Sequence, residues 1–109
     1  MKSSIRLLIS LLLLQPLLCN GEYIDAKLQY VGASPVSNTV IAAPDVVVIP
    51  GTSCKSKEIK WSADEKTAGV ILSVLLSAYH TDKAVRIAYQ PEEGCIGGAQ
   101  KGTYVRFIE

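Results

Sequence analysis

Apolar and polar residues alternate along Glu22–Val31 (EYIDAKLQYV). Ile24, Ala26, Leu28 and Tyr30 fall on one side, and Tyr23, Asp25, Lys27 and Gln29 on the other. A period of two predicts a strand whose Ile24-bearing face is buried. Residues 32–38 (GASPVSN) are turn material. Thr39–Ala43 predicts a short strand. Pro44 has no N–H to give a ladder and marks an edge or a break. Asp45–Ile49, with three valines and an isoleucine, is strongly β-prone. Residues 39–49 therefore read as one bent strand or two short ones, ended by the turn residues of Pro50–Ser53. Cys54–Lys60 is polar, although Ile59 and Trp61 can anchor a short strand.

The period then lengthens. Ser62 and Glu65 stand three apart ahead of an apolar run, which is the capping-box pattern, and the spacing predicts a helix over about 62–80. Asp64 adds negative charge where the helix dipole favours it. Ala68, Ile71, Leu72, Leu75 and Tyr79 form one stripe, with Lys66, Ser73, Ser77 and His80 opposite. Val70, Val74 and Ala78 widen the apolar surface on one flank and Leu76 on the other. Asp82, a residue that tolerates the left-handed conformation, closes the helix. Ala84–Gln90 alternates again, with Val85, Ile87 and Tyr89 on one face. Residues 91–102 hold four glycines and a proline and predict a loop. Thr103–Ile108 predicts a last strand, with Val105 and Phe107 opposite Tyr104, Arg106 and Ile108.

This order predicts an α+β chain that is mainly β. The expected architecture is a small OB-like, partly open barrel of about five strands, with one helix (about 62–80) before the last two strands. An open sheet with the helix on one face is the alternative.

Residues 1–21 have the parts of a secretory signal peptide. Lys2 and Arg6 precede a short apolar run, and small residues lie near the cleavage point after Cys19, Asn20 or Gly21. Lipidation of Cys19 is a rival reading, weakened by Leu18 where a small residue is wanted. Residues 22–109 form the expected single domain, with no transmembrane segment once the signal is removed. Without Lys2 and Arg6, nine basic residues face ten acidic ones, a net charge of −1. That balance removes the argument for nucleic acid. Export, to the periplasm or beyond the cell, places Cys54 and Cys95 in an oxidising compartment, where a pair is expected to bridge. Such a loop contributes on the order of 4 kcal/mol in the chain-entropy model. Free thiols acting as metal ligands or redox groups are the alternative, with only His80 to assist them.

The residues AYHTDKAVRIAYQP (78–91) resemble the helix-to-strand junction of B subunits of AB5 toxins of the pertussis, subtilase-cytotoxin and typhoid-toxin group. They resemble more nearly small uncharacterised secreted bacterial proteins with a cysteine before the helix and another between the last two strands. The resemblance implies an OB-like fold and a ring of subunits with the helix facing its middle. It carries over no sugar site, because Tyr23–Thr39 holds no matching motif. Asp82 stands where the toxin pattern has glycine.

The sequence argues against an enzyme, and it calls for no cofactor and no metal. It has one histidine, no metal-ligand spacing, and Glu92–Glu93 as adjacent carboxylates in a polar loop, where solvation is the ordinary outcome. Lys55, Lys57 and Lys60 surround Glu58 and read as a solvated face rather than a phosphate or glycan contact. His80 reads as an exposed or capping residue. Arg86 and Arg106, with Tyr104, are candidate contacts for an anion or glycan on neighbouring strands, against the plainer reading of a solvent face. The Val70, Val74 and Ser77 flank is a candidate contact between copies of the chain, since one small sheet covers only one side of a helix. The expected function is a non-catalytic binding module for a glycan or a protein surface, oligomeric in one version. The alternative is a monomeric periplasmic regulator or inhibitor of an envelope enzyme.

Overall fold

The computed structural model describes residues 21–108. The expected signal peptide, apart from Gly21, lies outside the described residues, and so does Cys19. The elements are β1 (Glu22–Ala26), β2 (Leu28–Ser34), β3 (Thr39–Pro44), β4 (Ile59–Ser62), α1 (Ala68–Thr81), β5 (Val85–Tyr89), a 3-10 turn (Pro91–Glu93), β6 (Cys95–Ile96) and β7 (Ala99–Phe107). The chain is mainly β with one described helix. The strands form one seven-stranded sheet in the order β1-β5-β7-β4-β3-β2, with β6 paired to β7 off that path.

Two features depart from the expected barrel. The sheet is not closed, and it has seven strands rather than about five. The first expected strand is split at Lys27. β1 pairs antiparallel with β5, while β2 pairs with β3 across a register shift between Leu28 and Tyr30. That shift also reverses the faces. Ile24 and Ala26 are buried as expected, but Tyr30 is exposed and Val31 packs on the core instead. The extra short strand β6 folds back on β7 through Gly97 and Gly98, both at positive φ, inside the segment expected to be loop. All ladders are antiparallel except β4–β7, which is parallel and holds only the pairs Ile59↔Gln100 and Lys60↔Lys101.

Asp45–Ile49 is not a strand. Asp45 N–H still donates to Lys27 O, at 2.8 Å, but Val46 N–H turns back to Pro44 O. The partner chain has by then bent away to pair with β5, so high β-propensity finds no ladder.

The helix begins six residues later than expected. Ser62 is the last residue of β4, paired with Thr39. Its Oγ accepts from Asp64 N–H at 3.3 Å and its carbonyl from Glu65 N–H at 3.2 Å, so Ser62 and Glu65 make a turn and not a helix cap. The N-cap is Thr67, which makes no side-chain capping bond. The C-terminus follows expectation: Asp82 adopts the left-handed conformation at φ 56°, and Lys83 N–H donates to Ala78 O at 3.0 Å.

Ala68, Ile71, Leu75 and Ala78 of α1 are buried over the sheet with Val40, Ile59, Trp61, Val85, Ile87 and Tyr89. Trp61 is fully buried, and a Cβ at position 102 would overlap its indole and Ile59 Cγ2. Glycine at 102 is therefore what lets β7 pass directly over the ring.

Candidate binding surface

Tyr23 and Asp25 of β1, Arg86 and Ala88 of β5, and Tyr104 and Arg106 of β7 share the face of the sheet that turns away from the core. Their registry follows from the ladders. Tyr23 pairs with Ala88 and Ala88 with Tyr104; Asp25 pairs with Arg86 and Arg86 with Arg106. The structure thus brings together Arg86, Tyr104 and Arg106, the three residues expected as ligand contacts. It adds Tyr23 and Asp25, whose alternation in β1 placed them on the outer face without showing which strand lay beside them.

Arg86 is held from two sides. Its Nε donates to Asp25 Oδ1 at 2.8 Å and its Nη2 to Asp25 Oδ2 at 2.9 Å, a bidentate pair. Its Cζ lies 4.0 Å from the centroid of the Tyr23 ring, within cation–π range. The bonds from Arg86 hold the Asp25 carboxyl below its usual range, with lesser help from the charges of Arg86 and Arg106 against partial desolvation. Arg106 donates to Phe107 O at 3.2 Å, and no described carboxylate lies within ion-pair distance of it. Among the described residues the face therefore carries one guanidinium paired with a carboxylate and one, Arg106, without such a pair. Tyr23 (54% exposed) and Tyr104 (46%) flank Ala88 (8%), two strand spacings or about 10 Å apart. Ala88, between them, is buried, and the Tyr23 ring is the one stacked against Arg86.

Other candidate residues fall elsewhere. Lys60 is half-buried and 3.9 Å from Glu58, which also accepts from the Tyr30 hydroxyl. That bond raises the pKa of Tyr30 above its ordinary value. Lys55 and Lys57 are exposed in the preceding loop and Lys60 is paired, so the three lysines do not form one basic patch. His80 is exposed, edge-on to Tyr79 at 5.9 Å. Glu92 and Glu93 are exposed at the 3-10 turn, with Lys101 Nζ 3.9 Å from Glu93. On α1, Val70 is 65% exposed, Val74 half-buried and Ser77 exposed, so this flank faces away from the sheet.

Cys54 and Cys95 form the disulfide, with Cα atoms 5.8 Å apart. Beside it lies Gln100, a fully buried polar residue with no counterpart in the sequence expectations. Its Oε1 accepts from Thr52 Oγ1 at 2.6 Å; its Nε2 donates to Gln90 O at 3.0 Å and Lys101 O at 3.2 Å. Thr52 Oγ1 in turn accepts from Cys54 N–H. One side chain thus ties the loop before β4 to the loop after β5. Its position in an apparently loop-like, glycine-rich segment gave no period from which burial could be read.

Among the described residues no cluster of three or more histidine, cysteine or acidic side chains suits a metal ion, and no helix is long and apolar enough to cross a membrane. No family model matches the chain, and no curated protein and no solved structure is similar to it.

Proposed function

We propose that this protein is a secreted or periplasmic, non-catalytic binding module, and that the outer face of β1, β5 and β7 is its recognition surface. The observation that carries the reading is the pinned guanidinium of Arg86 beside that of Arg106, which has no carboxylate partner among the described residues, framed by Tyr23 and Tyr104. Side chains already fixed lose little entropy on binding, and aromatic and arginine groups dominate recognition energies. The exposed Tyr104 ring suits the flat face of a sugar, and the Arg106 guanidinium suits an acceptor-rich group on a glycan or protein surface.

An OB-type relationship for this open sheet belongs to the same proposal. β1 and β2, its two edge strands, are one stretch of chain interrupted only at Lys27, and the helix falls between the third and fourth strands once they are counted as one. A homo-oligomer with α1 on its inner side, as the toxin B-subunit resemblance implies, extends the proposal through Val70, Val74 and Ser77. The disulfide supports an oxidising compartment.

The test presents the exported protein to immobilised glycans and to envelope proteins, with the double variant Tyr104→Ala/Arg106→Ala alongside. A ligand retained by the native protein and weakened about tenfold or more by the variant supports the surface. A ligand bound equally by both moves recognition to another face. Inhibition of one envelope enzyme by the monomer favours a regulator over a glycan-binding subunit.

A further inference from the structure

The two sulfurs of the Cys54–Cys95 bridge differ in access. Cys95, in β6, is exposed, whereas Cys54, ahead of β4, is half-buried. Cys54 Sγ lies 3.9 Å from Oε1 of the fully buried Gln100. In the disulfide that sulfur has no proton, so the contact is not a hydrogen bond. A thiol there is a donor, and an amide oxygen accepts two bonds. The direction of this oxygen is fixed. Gln100 Nε2 donates to the carbonyls of Gln90, Gly94 and Lys101, and Oε1 already accepts from Thr52 Oγ1 at 2.6 Å. Cys54 N–H donates to the same Thr52 oxygen at 3.0 Å. The fold thus holds an acceptor beside Cys54 that only its reduced form can use.

We infer that Cys54–Cys95 is an exchangeable disulfide, a redox switch on the contact between β4 and β7, in which Cys95 Sγ takes the attack and Cys54 is the leaving group. The reductant is a dithiol. One of its thiolates bonds to Cys95 Sγ, the Cys54–Cys95 bond breaks, and Cys54 leaves with the electron pair and takes up a proton beside Gln100 Oε1. The second thiol of the reductant then attacks its own sulfur in the mixed disulfide and releases Cys95 as a thiol. The dithiol is oxidised by two electrons, and its two protons end on Cys54 and Cys95. Location sets the consequence. Without the bridge, β4 meets β7 through two parallel pairs, and the loop before β4 meets the β6–β7 turn through Ser56 N–H to Gly98 O at 3.0 Å. The β1–β5 and β5–β7 ladders hold five pairs each on the far side of β7. Reduction therefore loosens β4 from β7 and leaves the tyrosine–arginine face in place. The switch does not depend on that face being the recognition surface.

The test uses the oxidised protein as the cell exports it, without denaturant and without variants. A brief reaction with glutathione, followed by alkylation of the freed thiol and peptide mapping, is expected to place glutathione on Cys95 and the alkyl group on Cys54. Dithiothreitol is expected to reduce the bridge fully while circular dichroism keeps the signal of the folded chain. In that reduced protein the amides of Ile59, Lys60, Gln100 and Lys101 are expected to exchange at least about tenfold faster, with β1–β5 protection retained. Oxidised glutathione is expected to restore the slow exchange. A bridge that resists dithiothreitol until denaturant is added overturns the inference. So does glutathione found on Cys54, a chain that unfolds on reduction, or exchange at those four amides that reduction leaves unchanged.

Discussion

Tyr89 shows how one side chain joins packing to pH. It is fully buried in β5, and its hydroxyl crosses the core to donate to Pro50 O at 2.6 Å. Burial, with a smaller contribution from the charge of Glu22, pushes that hydroxyl up to about 12. In the unfolded chain a tyrosine ionises near pH 10. The folded state therefore holds its proton more tightly. The stability this group contributes is complete below about pH 10 and is lost as pH rises from 10 towards 12. Urea midpoints across that window are expected to fall for the native protein and to fall less for Tyr89→Phe. At neutral pH the same variant is expected to cost on the order of 1 kcal/mol, the net worth of one hydrogen bond. An equal alkaline slope in both proteins would show that Tyr89 is not the titrating group. Gly102 and Trp61 belong to this scale too, since the glycine has meaning only beside the ring that passes over it.

At the scale of elements, period-two segments were legible where both neighbours in the sheet are regular. Val85, Ile87 and Tyr89 are buried as their alternation predicts, and Cys54 and Cys95 bridge as expected of the pair. Segments whose partner changes were not legible. The alternation of residues 22–31 is continuous, yet the strand changes partner at Lys27 and the bulge turns Tyr30 outward. Ser62 and Glu65 satisfy a capping pattern, but pairing of Ser62 with Thr39 claims that stretch for β4. A local signal of about 1 kcal/mol gives way to a cross-strand ladder and a buried tryptophan. Of the candidate surface, Arg86, Tyr104 and Arg106 were readable from alternation. Asp25 and Tyr23 were not, because which strands neighbour each other is not a local property. The late start leaves α1 imperfect. Thr67 makes no side-chain cap, the first turn holds no acidic residue, and Gly69 is its second residue. A Cβ at Gly69 meets nothing within 4 Å, and its φ is not in the left-handed region. Gly69→Ala is therefore expected to stabilise the protein by about 0.5–1 kcal/mol, read from denaturant midpoints at unchanged slope. A loss of stability would mean that glycine is needed there for a contact.

On the scale of the whole molecule, the sheet is two antiparallel blocks joined along one seam. β1 and β5 lie on one side, β4, β3 and β2 on the other, and β7 connects them. On the β5 side β7 is bound through five register pairs; on the β4 side through two parallel ones. The weaker junction is where the cross-links gather. The disulfide ties Cys54, just before β4, to Cys95 in β6, which pairs with β7. Gln100 lies inside the same junction and ties Thr52 to Gln90. The disulfide thus closes a loop of 41 residues and at the same time holds the seam together. Breaking it is expected to cost about 2–4 kcal/mol in global stability. It should also act locally. In Cys54→Ser/Cys95→Ser, amides of Ile59, Lys60, Gln100 and Lys101 are expected to exchange faster in hydrogen-exchange measurements under native conditions. Those of the β2–β3 and β1–β5 ladders should retain protection relative to them, because their longer registers do not pass through the seam. If protection falls evenly across the sheet, the disulfide acts only on the unfolded chain and the seam is held by packing around Trp61.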